Sequence, residues 1–128
     1  MKHGLLLFAH GARDPRWALP FEDVARRVRE RAPQIAVVFA YLEFMAPDLH
    51  GGGTQLAAAG CTQVDVVPLF LGAGGHVRKD LPALLETLSA AYPAVTWRLR
   101  RAIGEVDSVV DAMADAAIAL AVTVPDVQ

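Results

Sequence analysis

Short apolar runs alternate with amphipathic patterns four times along the chain, and this alternation constrains the fold more than any other feature. The apolar runs are GLLLFAH (4–10), QIAVVFAYLE (34–43), TQVDVVPLFL (62–71) and AVTWRLRRAI (94–103). Each run is short and is followed by turn residues and a helical pattern, so each is predicted to be a β-strand. The resulting order, β-α-β-α-β-α-β-α, is typical of a mostly parallel sheet covered on both faces by helices.

Right-handed crossover connections favour a doubly wound, flavodoxin-like α/β fold with four parallel strands in the order 2-1-3-4. The fourth run alternates apolar and polar residues, which indicates an edge strand with one wetter face. The 128 residues contain no linker or low-complexity stretch. We therefore expect residues 1–128 to form a single module.

Helix boundaries are signalled by capping residues and prolines. Asp14 is the expected N-cap of the first helix, with Pro15 at its first position, although a second proline moves the firm start to near Phe21. The third helix is expected over 80–93, with Asp80 as its cap.

The second helix, within 46–60, is interrupted by three glycines. Each glycine of 51–53 costs about 1 kcal/mol relative to alanine inside a helix, so a loop is expected there. The firm helix should begin near Thr54 and end at Gly60, a residue suited to a C-terminal cap. A final helix is expected over 105–122.

Composition excludes several classes of protein. No apolar run approaches the roughly 20 residues of a membrane helix, and no secretory leader is evident, so we expect a cytoplasmic protein. Cys61 is the only cysteine, which excludes an internal disulfide and a cysteine-based metal site within one chain. The net charge of -2 argues against a nucleic-acid partner. All twelve basic residues lie at or before Arg101, which leaves room for a local basic patch that faces an anionic small molecule.

Two histidines and one glutamate follow the predicted strands. His10 ends the first strand, Glu43 ends the second, and His76 follows the third after a glycine-rich loop. Ligands of open parallel sheets bind beyond the carboxyl ends of the strands, where the strand order reverses, so these three side chains should share one rim. Imidazole and carboxylate ligands suit divalent cobalt, nickel, iron or zinc, and histidine accepts protons near neutral pH. We predict that His10, Glu43 and His76 are metal ligands and catalytic residues; in the alternative interpretation Glu43 is a solvated loop carboxylate.

Basic residues stand beside both histidine turns. Arg13 follows the first turn, and Arg78 and Lys79 follow the second. They are candidates for binding carboxylates of an anionic substrate. In the alternative interpretation Arg13 stabilises its own turn, and Arg78 and Lys79 are ordinary charges at a helix start.

Aromatic and apolar residues lie near the same predicted rim. Trp17, Phe44 and Met45 either form an apolar wall for a macrocycle or pack into the core. His3 and His50 have no comparable placement, and incidental roles are expected for both.

Three segments resemble the short sirohydrochlorin chelatases, which comprise the CbiX-like cobaltochelatases and the related ferrochelatases. They are LLLFAHGARDPRW…PFE, YLEFMAPDL and AAAGCTQVDVVPLFLGAGGHVRKDLP, found in the same order and together spanning about residues 4–100. The chain departs from the family at HGGGTQL (50–56), where a charged, helix-forming stretch is usual. That departure makes His50 a candidate for an additional ligand.

The resemblance implies a class II chelatase that inserts a divalent metal into a modified tetrapyrrole without ATP. It implies that His10 and His76 handle the metal, that Glu43 is their acidic partner, and that sirohydrochlorin supplies carboxylates to the basic residues. The metal (Co²⁺, Fe²⁺ or Ni²⁺) is then a substrate, and no permanently bound cofactor is expected. Since the long members of the family place two modules in one chain, the short chain is expected to work as a homodimer without a nucleic-acid or membrane partner.

Other functions remain open at this point. The same histidines would serve a carrier, or a degenerate chelatase half, that binds metal or tetrapyrrole without turnover. A nucleotide-binding function is disfavoured because neither G-x-x-x-x-G-K-[ST] nor G-x-G-x-x-G follows the first strand. Phosphoryl transfer through His10 is disfavoured because histidine phosphatases carry an arginine directly before the histidine, where this chain has Ala9.

Overall fold

Four strands form one parallel sheet in the order 2-1-3-4, numbered along the chain, as predicted. The structure, a computed structural model, describes residues 2–72 and 74–122, with the side chains of 76–78 excepted. The strands are β1 (His3–Ala9), β2 (Ala36–Tyr41), β3 (Gln63–Pro68) and β4 (Thr96–Leu99). Among the described residues β4 pairs only with β3, so it is the edge strand that its alternating pattern predicts.

The register brings the carboxyl ends of three strands to one edge. Ala9 of β1 lies beside Tyr41 of β2, and Phe8 lies beside Pro68 of β3. The loops that carry His10 and Glu43 therefore leave the sheet side by side, as the switch-point argument requires.

The helices are α1 (Leu19–Arg31), α2 (Leu49–Ala58), α3 (Gly75–Ala91) and α4 (Asp107–Val122). A 3₁₀ turn (Pro15–Ala18) precedes α1, and a second one (Ile103–Glu105) precedes α4. Asp14 caps the first 3₁₀ turn, because its carboxylate accepts a hydrogen bond of 2.9 Å from the backbone N–H of Arg16. The predicted capping role of Asp14 is thus confirmed, and α1 begins two residues before Phe21.

The predicted start of α2 is wrong. The helix begins at Leu49, five residues before Thr54, and includes all three glycines. Asp48 is its N-cap and accepts a hydrogen bond of 2.8 Å from the N–H of Gly51. The predicted end is confirmed, since Gly60 has a φ of +89° and the hydrogen bonds of a Schellman motif close the helix there.

Close packing explains why glycines are tolerated in α2. A Cβ atom on Gly52 would lie 3.1 Å from Cβ of Ala40 in β2. A Cβ atom on Gly53 would lie 2.6 Å from a methyl carbon of Leu88 in α3. The glycines let α2 approach the sheet and α3, and the apolar surface buried by this approach offsets the low intrinsic helix propensity.

The predicted start of α3 is wrong as well. The helix begins at Gly75 with Gly74 as N-cap, so Asp80 lies inside it and is not a cap. Pro82 also lies inside the helix, although proline removes one backbone hydrogen bond there. One face of the segment buries leucines at helical spacing, and this burial favours a continuous helix over a break: Leu81, Leu85 and Leu88.

The main core lies on one face of the sheet, between the strands and helices α2 and α3. Helix α1 covers part of the other face, where the rings of Phe21 and Phe39 lie 6.0 Å apart. Helix α4 buries none of its residues, so the second face is less completely covered than predicted. In the described part of the chain, no helix is both long and apolar enough to cross a membrane.

Candidate active site

His10 stands at the carboxyl edge of the sheet, directly after β1. Its ring stacks on the buried ring of Phe70, with centroids 4.2 Å apart and planes at 28°. The imidazole is exposed, and no hydrogen bond to its nitrogens exists within the described residues. One face of the ring is therefore held by an aromatic support while its nitrogens are available to a ligand.

Glu43 is tied to His10 through the backbone. The N–H of Glu43 donates to the carbonyl of His10 at 3.0 Å, and the N–H of Leu42 donates to Ala9 at 2.9 Å, so strand-like pairing continues past both strand ends. Gly11 makes this contact possible: its φ is +86°, and a Cβ atom there would lie 1.9 Å from the carbonyl oxygen of Glu43. The structure thus brings together the backbones of two of the three predicted ligands.

Arg13 lies over the same rim. Its guanidinium carbon is 4.8 Å from the centroid of the Phe44 ring, a distance suited to a cation–π contact. Both side chains are exposed, and Phe44 has a positive φ of 66°. The guanidinium is therefore exposed at the rim, and its predicted role in binding an anionic substrate stays a prediction.

His76, Arg78 and Lys79 lie in the first two turns of α3. The connection between the parallel strands β3 and β4 starts at the carboxyl edge, so this end of α3 belongs to the same rim as His10. The side chains of His76 and Arg78 lie outside the described residues, and Lys79 is exposed. Participation of the α3 residues in the metal and substrate site stays a prediction.

The predicted apolar wall is only partly present. Phe44 and Met45 line a shallow cavity of about 360 Å³, together with Arg13 and Tyr41. Trp17 does not line it and packs instead on Phe21, with ring centroids 4.6 Å apart.

His3 takes part in a charged cluster that sequence reasoning missed. Asp65 is buried in β3 and accepts hydrogen bonds from Arg98 at 2.8 and 3.1 Å and pairs with Nε2 of His3 at 2.5 Å. Burial raises the pKa of the Asp65 carboxyl, but the hydrogen bonds and charges of Arg98 and His3 outweigh it, and the pKa is lowered. The aspartate within the apolar run TQVDVVP could have indicated this cluster, because a buried charge requires partners.

His50 lies away from the rim residues of α3. Its ring centroid is 6.4 Å from that of Tyr92, which follows the last turn of α3, whereas His76 lies in the first turn.

Phe70, the support for His10, was also missed, because an aromatic residue at the end of an apolar run is indistinguishable from a core residue. Among the described side chains, no cluster of three His, Cys, Asp or Glu residues is arranged to hold a metal.

The chain is similar in sequence and in fold to proteins described as sirohydrochlorin chelatases or as CbiX proteins. A sirohydrochlorin cobaltochelatase of Saccharolobus solfataricus is 37% identical over 84 residues, which cover 64% of this chain and 62% of the relative. The chain thus spans less than two thirds of the length of that curated relative. A structure from Marinobacter aquaeolei VT8, described provisionally as a CbiX protein of cobalamin (vitamin B12) biosynthesis, superposes with a TM-score of 0.80. It is 38% identical, and the match covers 91% of this chain and 95% of that one.

The fold also occurs in a protein about twice as long. The sirohydrochlorin chelatase SirB from Bacillus subtilis subspecies spizizenii, solved in complex with cobalt, superposes with a TM-score of 0.81 at 23% identity. The match covers 94% of this chain and 52% of SirB, so one module here corresponds to half of that protein. The CbiX family model matches residues 4–119, which is nearly the whole chain. Because the family model matches well over half of the chain, the chain belongs to the CbiX family.

Proposed function

We propose that the chain catalyses the ATP-independent insertion of a divalent metal into sirohydrochlorin. Co²⁺ is the favoured metal, because several curated relatives are named sirohydrochlorin cobaltochelatases, and Fe²⁺ is the second candidate. One observation carries the proposal: the exposed imidazole of His10 stacks on Phe70 at the carboxyl edge of the sheet, where the backbones of His10 and Glu43 are hydrogen-bonded to each other.

The chemistry requires a weak metal site and a base. Insertion of a dication into the macrocycle releases both pyrrole N–H protons, which must pass to acceptors near the ring. Histidine accepts protons near neutral pH and binds cobalt and iron through nitrogen. We assign metal capture to His10 and His76. As the metal passes to the macrocycle, one imidazole that has released it and the carboxylate of Glu43 accept the two protons.

The basic residues orient the substrate in this proposal. Sirohydrochlorin is a flat macrocycle with carboxylate side chains, and guanidinium groups bind carboxylates through paired hydrogen bonds. Arg13 is held at the rim by Phe44, 4.8 Å away, beside an apolar surface that suits the edge of the ring. Arg78 and Lys79 are assigned the same function from the start of α3.

The working unit is proposed to be a cytoplasmic homodimer. The match to half of SirB means that one chain supplies one module, and a second copy would supply the opposite wall of a macrocycle cleft. The buried thiol of Cys61, unpaired within the described residues, fits a reducing compartment.

An anaerobic absorbance assay tests the activity. Purified protein is mixed with sirohydrochlorin and Co²⁺ or Fe²⁺, and formation of the metallated product is followed beside His10→Ala, His76→Ala and Glu43→Gln. We expect each of these variants to lose about 10²-fold or more in rate, the usual contribution of a general base. His50→Ala is the matched control and should retain the wild-type rate.

Two outcomes contradict the proposal. If no metal is inserted faster than in the protein-free solution, the chain is not a chelatase. If the macrocycle then still binds in the same titration, the chain is a tetrapyrrole-binding module without turnover. If His10→Ala keeps the full rate while His50→Ala loses it, the site has been assigned to the wrong residues.

A further inference from the structure

The segment that follows the edge strand β4 carries two adjacent arginines, Arg100 and Arg101. The N–H of Arg100 donates to a carbonyl of β3, and the N–H of Gly104 donates to the carbonyl of Phe70, both at 2.9 Å. The segment between these two hydrogen bonds therefore runs beside the end of β3 toward the carboxyl edge of the sheet. It reaches Phe70, the residue whose ring supports His10.

Neither guanidinium has an acidic partner in the part of the chain that the structure describes. Arg98, two residues before Arg100, is by contrast neutralised by the buried carboxylate of Asp65, 2.8 Å away. Arg100 and Arg101 are both exposed. Two adjacent cations without a counter-ion make the local potential positive, which favours an anionic ligand.

The two arginines line a pair of adjoining cavities of about 480 and 160 Å³. The larger cavity also has apolar walls: Val67, Leu99, Ile103 and Val106. The smaller one is lined by Glu105 as well, whose single negative charge does not cancel two positive charges. Apolar walls beside two guanidinium groups suit a ligand with an apolar body and carboxylates at its edge.

Arg100 and Arg101 lie at the opposite end of the rim from Arg13. The guanidinium of Arg13 contacts Phe44, which follows β2, and β2 and β4 are the two outer strands of the sheet. Three strand spacings separate these outer strands, which corresponds to about 14 Å at about 4.8 Å each. His10 follows the inner strand β1 and therefore lies between the two cationic ends.

We propose that Arg100 and Arg101 bind carboxylates of the macrocycle on the edge opposite to the carboxylates bound by Arg13. This assignment rests on the proposed function and adds an orientation: the ring lies across the strand ends, over His10, with its anionic side chains held at both ends of the rim. A macrocycle with carboxylates on opposite edges reaches both ends at once. One with carboxylates on a single edge pairs at only one end at a time, so the arginines position the substrate and select for its outer carboxylates.

Binding of metal-free sirohydrochlorin tests the assignment without turnover. The absorbance of the macrocycle is followed in an anaerobic titration with the wild type and with the double variant Arg100→Gln/Arg101→Gln. We expect the double variant to bind about 10-fold more weakly, because it lacks two exposed ion pairs. Both side chains are exposed, so its melting temperature should equal that of the wild type. Arg100→Lys/Arg101→Lys should recover part of the lost affinity, since lysine keeps the charge but not the paired hydrogen bonds.

Arg31→Gln is the matched control. Arg31 is exposed, and within the described residues no carboxylate pairs with it. It is the last residue of α1, and the parallel pairing of β1 and β2 places that end of the helix at the amino edge of the sheet, away from the rim. The control removes the same charge and should bind sirohydrochlorin as tightly as the wild type.

Mesoporphyrin, whose carboxylates lie on a single edge, tests the orientation. It can bind at either end of the rim, so the double variant excludes one of two orientations and should weaken its binding only about 2-fold. The insertion assay with Co²⁺ and sirohydrochlorin gives a further readout. The double variant should raise KM about 10-fold and leave kcat nearly unchanged, because the arginines bind the ground state and the transition state equally.

Several results would overturn the proposal. An unchanged Kd for sirohydrochlorin in the double variant, with metal insertion intact in the wild type, removes the subsite and leaves the proposed function standing. An equal loss in Arg31→Gln would reduce the effect to net charge, and equal losses for both macrocycles would exclude binding at opposite edges. If the Kd rises as expected but the wild type inserts no metal, the subsite stands and the proposed enzymatic function fails.

Discussion

Replacing Gly11 by alanine should misplace the two rim residues that the structure brings together. Gly11 has a φ of +86°, a conformation that costs an alanine about 1–2 kcal/mol. The new Cβ would also lie 1.9 Å from the carbonyl oxygen of Glu43, a backbone atom that cannot rotate away. Overpacking of this kind costs about 1–3 kcal/mol, so we expect Gly11→Ala to lower the free energy of unfolding by about 3 kcal/mol in total.

The variant Gly60→Ala separates the cost of a positive φ from the cost of the steric contact with Glu43. Gly60 has a nearly identical φ of +89°, but a Cβ atom there would meet nothing within 4 Å. This control should therefore lose only the conformational contribution, about 1 kcal/mol, or about 4 °C in melting temperature against about 12 °C for Gly11→Ala. Thermal and denaturant unfolding measure both variants. Equal losses in the two would refute the argument that the contact with Glu43 fixes the turn.

Three further predictions concern the cluster around Asp65 and the support of His10. Asp65→Asn should cost about 1–3 kcal/mol at pH 7. Because the pKa of Asp65 is lowered by folding, this loss should shrink as the pH falls below about 4, which unfolding curves from pH 6 to pH 2 would show. Gly104→Ala should cost about 2 kcal/mol in denaturant unfolding, since its Cβ would lie 2.0 Å from the carbonyl oxygen of Leu71. Phe70→Leu keeps an apolar side chain but removes the ring stacked on His10, so kcat/KM for metal insertion should fall about 10-fold at a small cost in melting temperature.

The sheet order and the placement of His10 and Glu43 could be predicted because both follow from short-range information. An apolar run of strand length identifies each strand, and the right-handed crossover rule then fixes which loops share an edge. The backbone hydrogen bond from Glu43 to His10 is the direct consequence of that order.

The start of α2 could not be predicted, because it depends on contacts distant in sequence. Local propensity assigns Gly52 and Gly53 to a loop, but their lack of side chains is what allows α2 to pack against β2 and α3. Asp80 illustrates the same limit, since a good capping residue lies within a helix whose buried leucines extend the pattern. Asp65 was visible in the sequence as a charge within an apolar run. Its partners could not be predicted, because they depend on the register of three strands.

Helix α4 was predictable as a helix, but the contact between the turn that precedes it and the candidate site was not predictable. The turn that leads into α4 is held to β3 by a hydrogen bond of 2.9 Å from the N–H of Gly104 to the carbonyl of Phe70. Phe70 in turn carries the ring of His10. The turn that precedes α4 and the imidazole of His10 therefore both contact Phe70, one through its backbone carbonyl and the other through its ring.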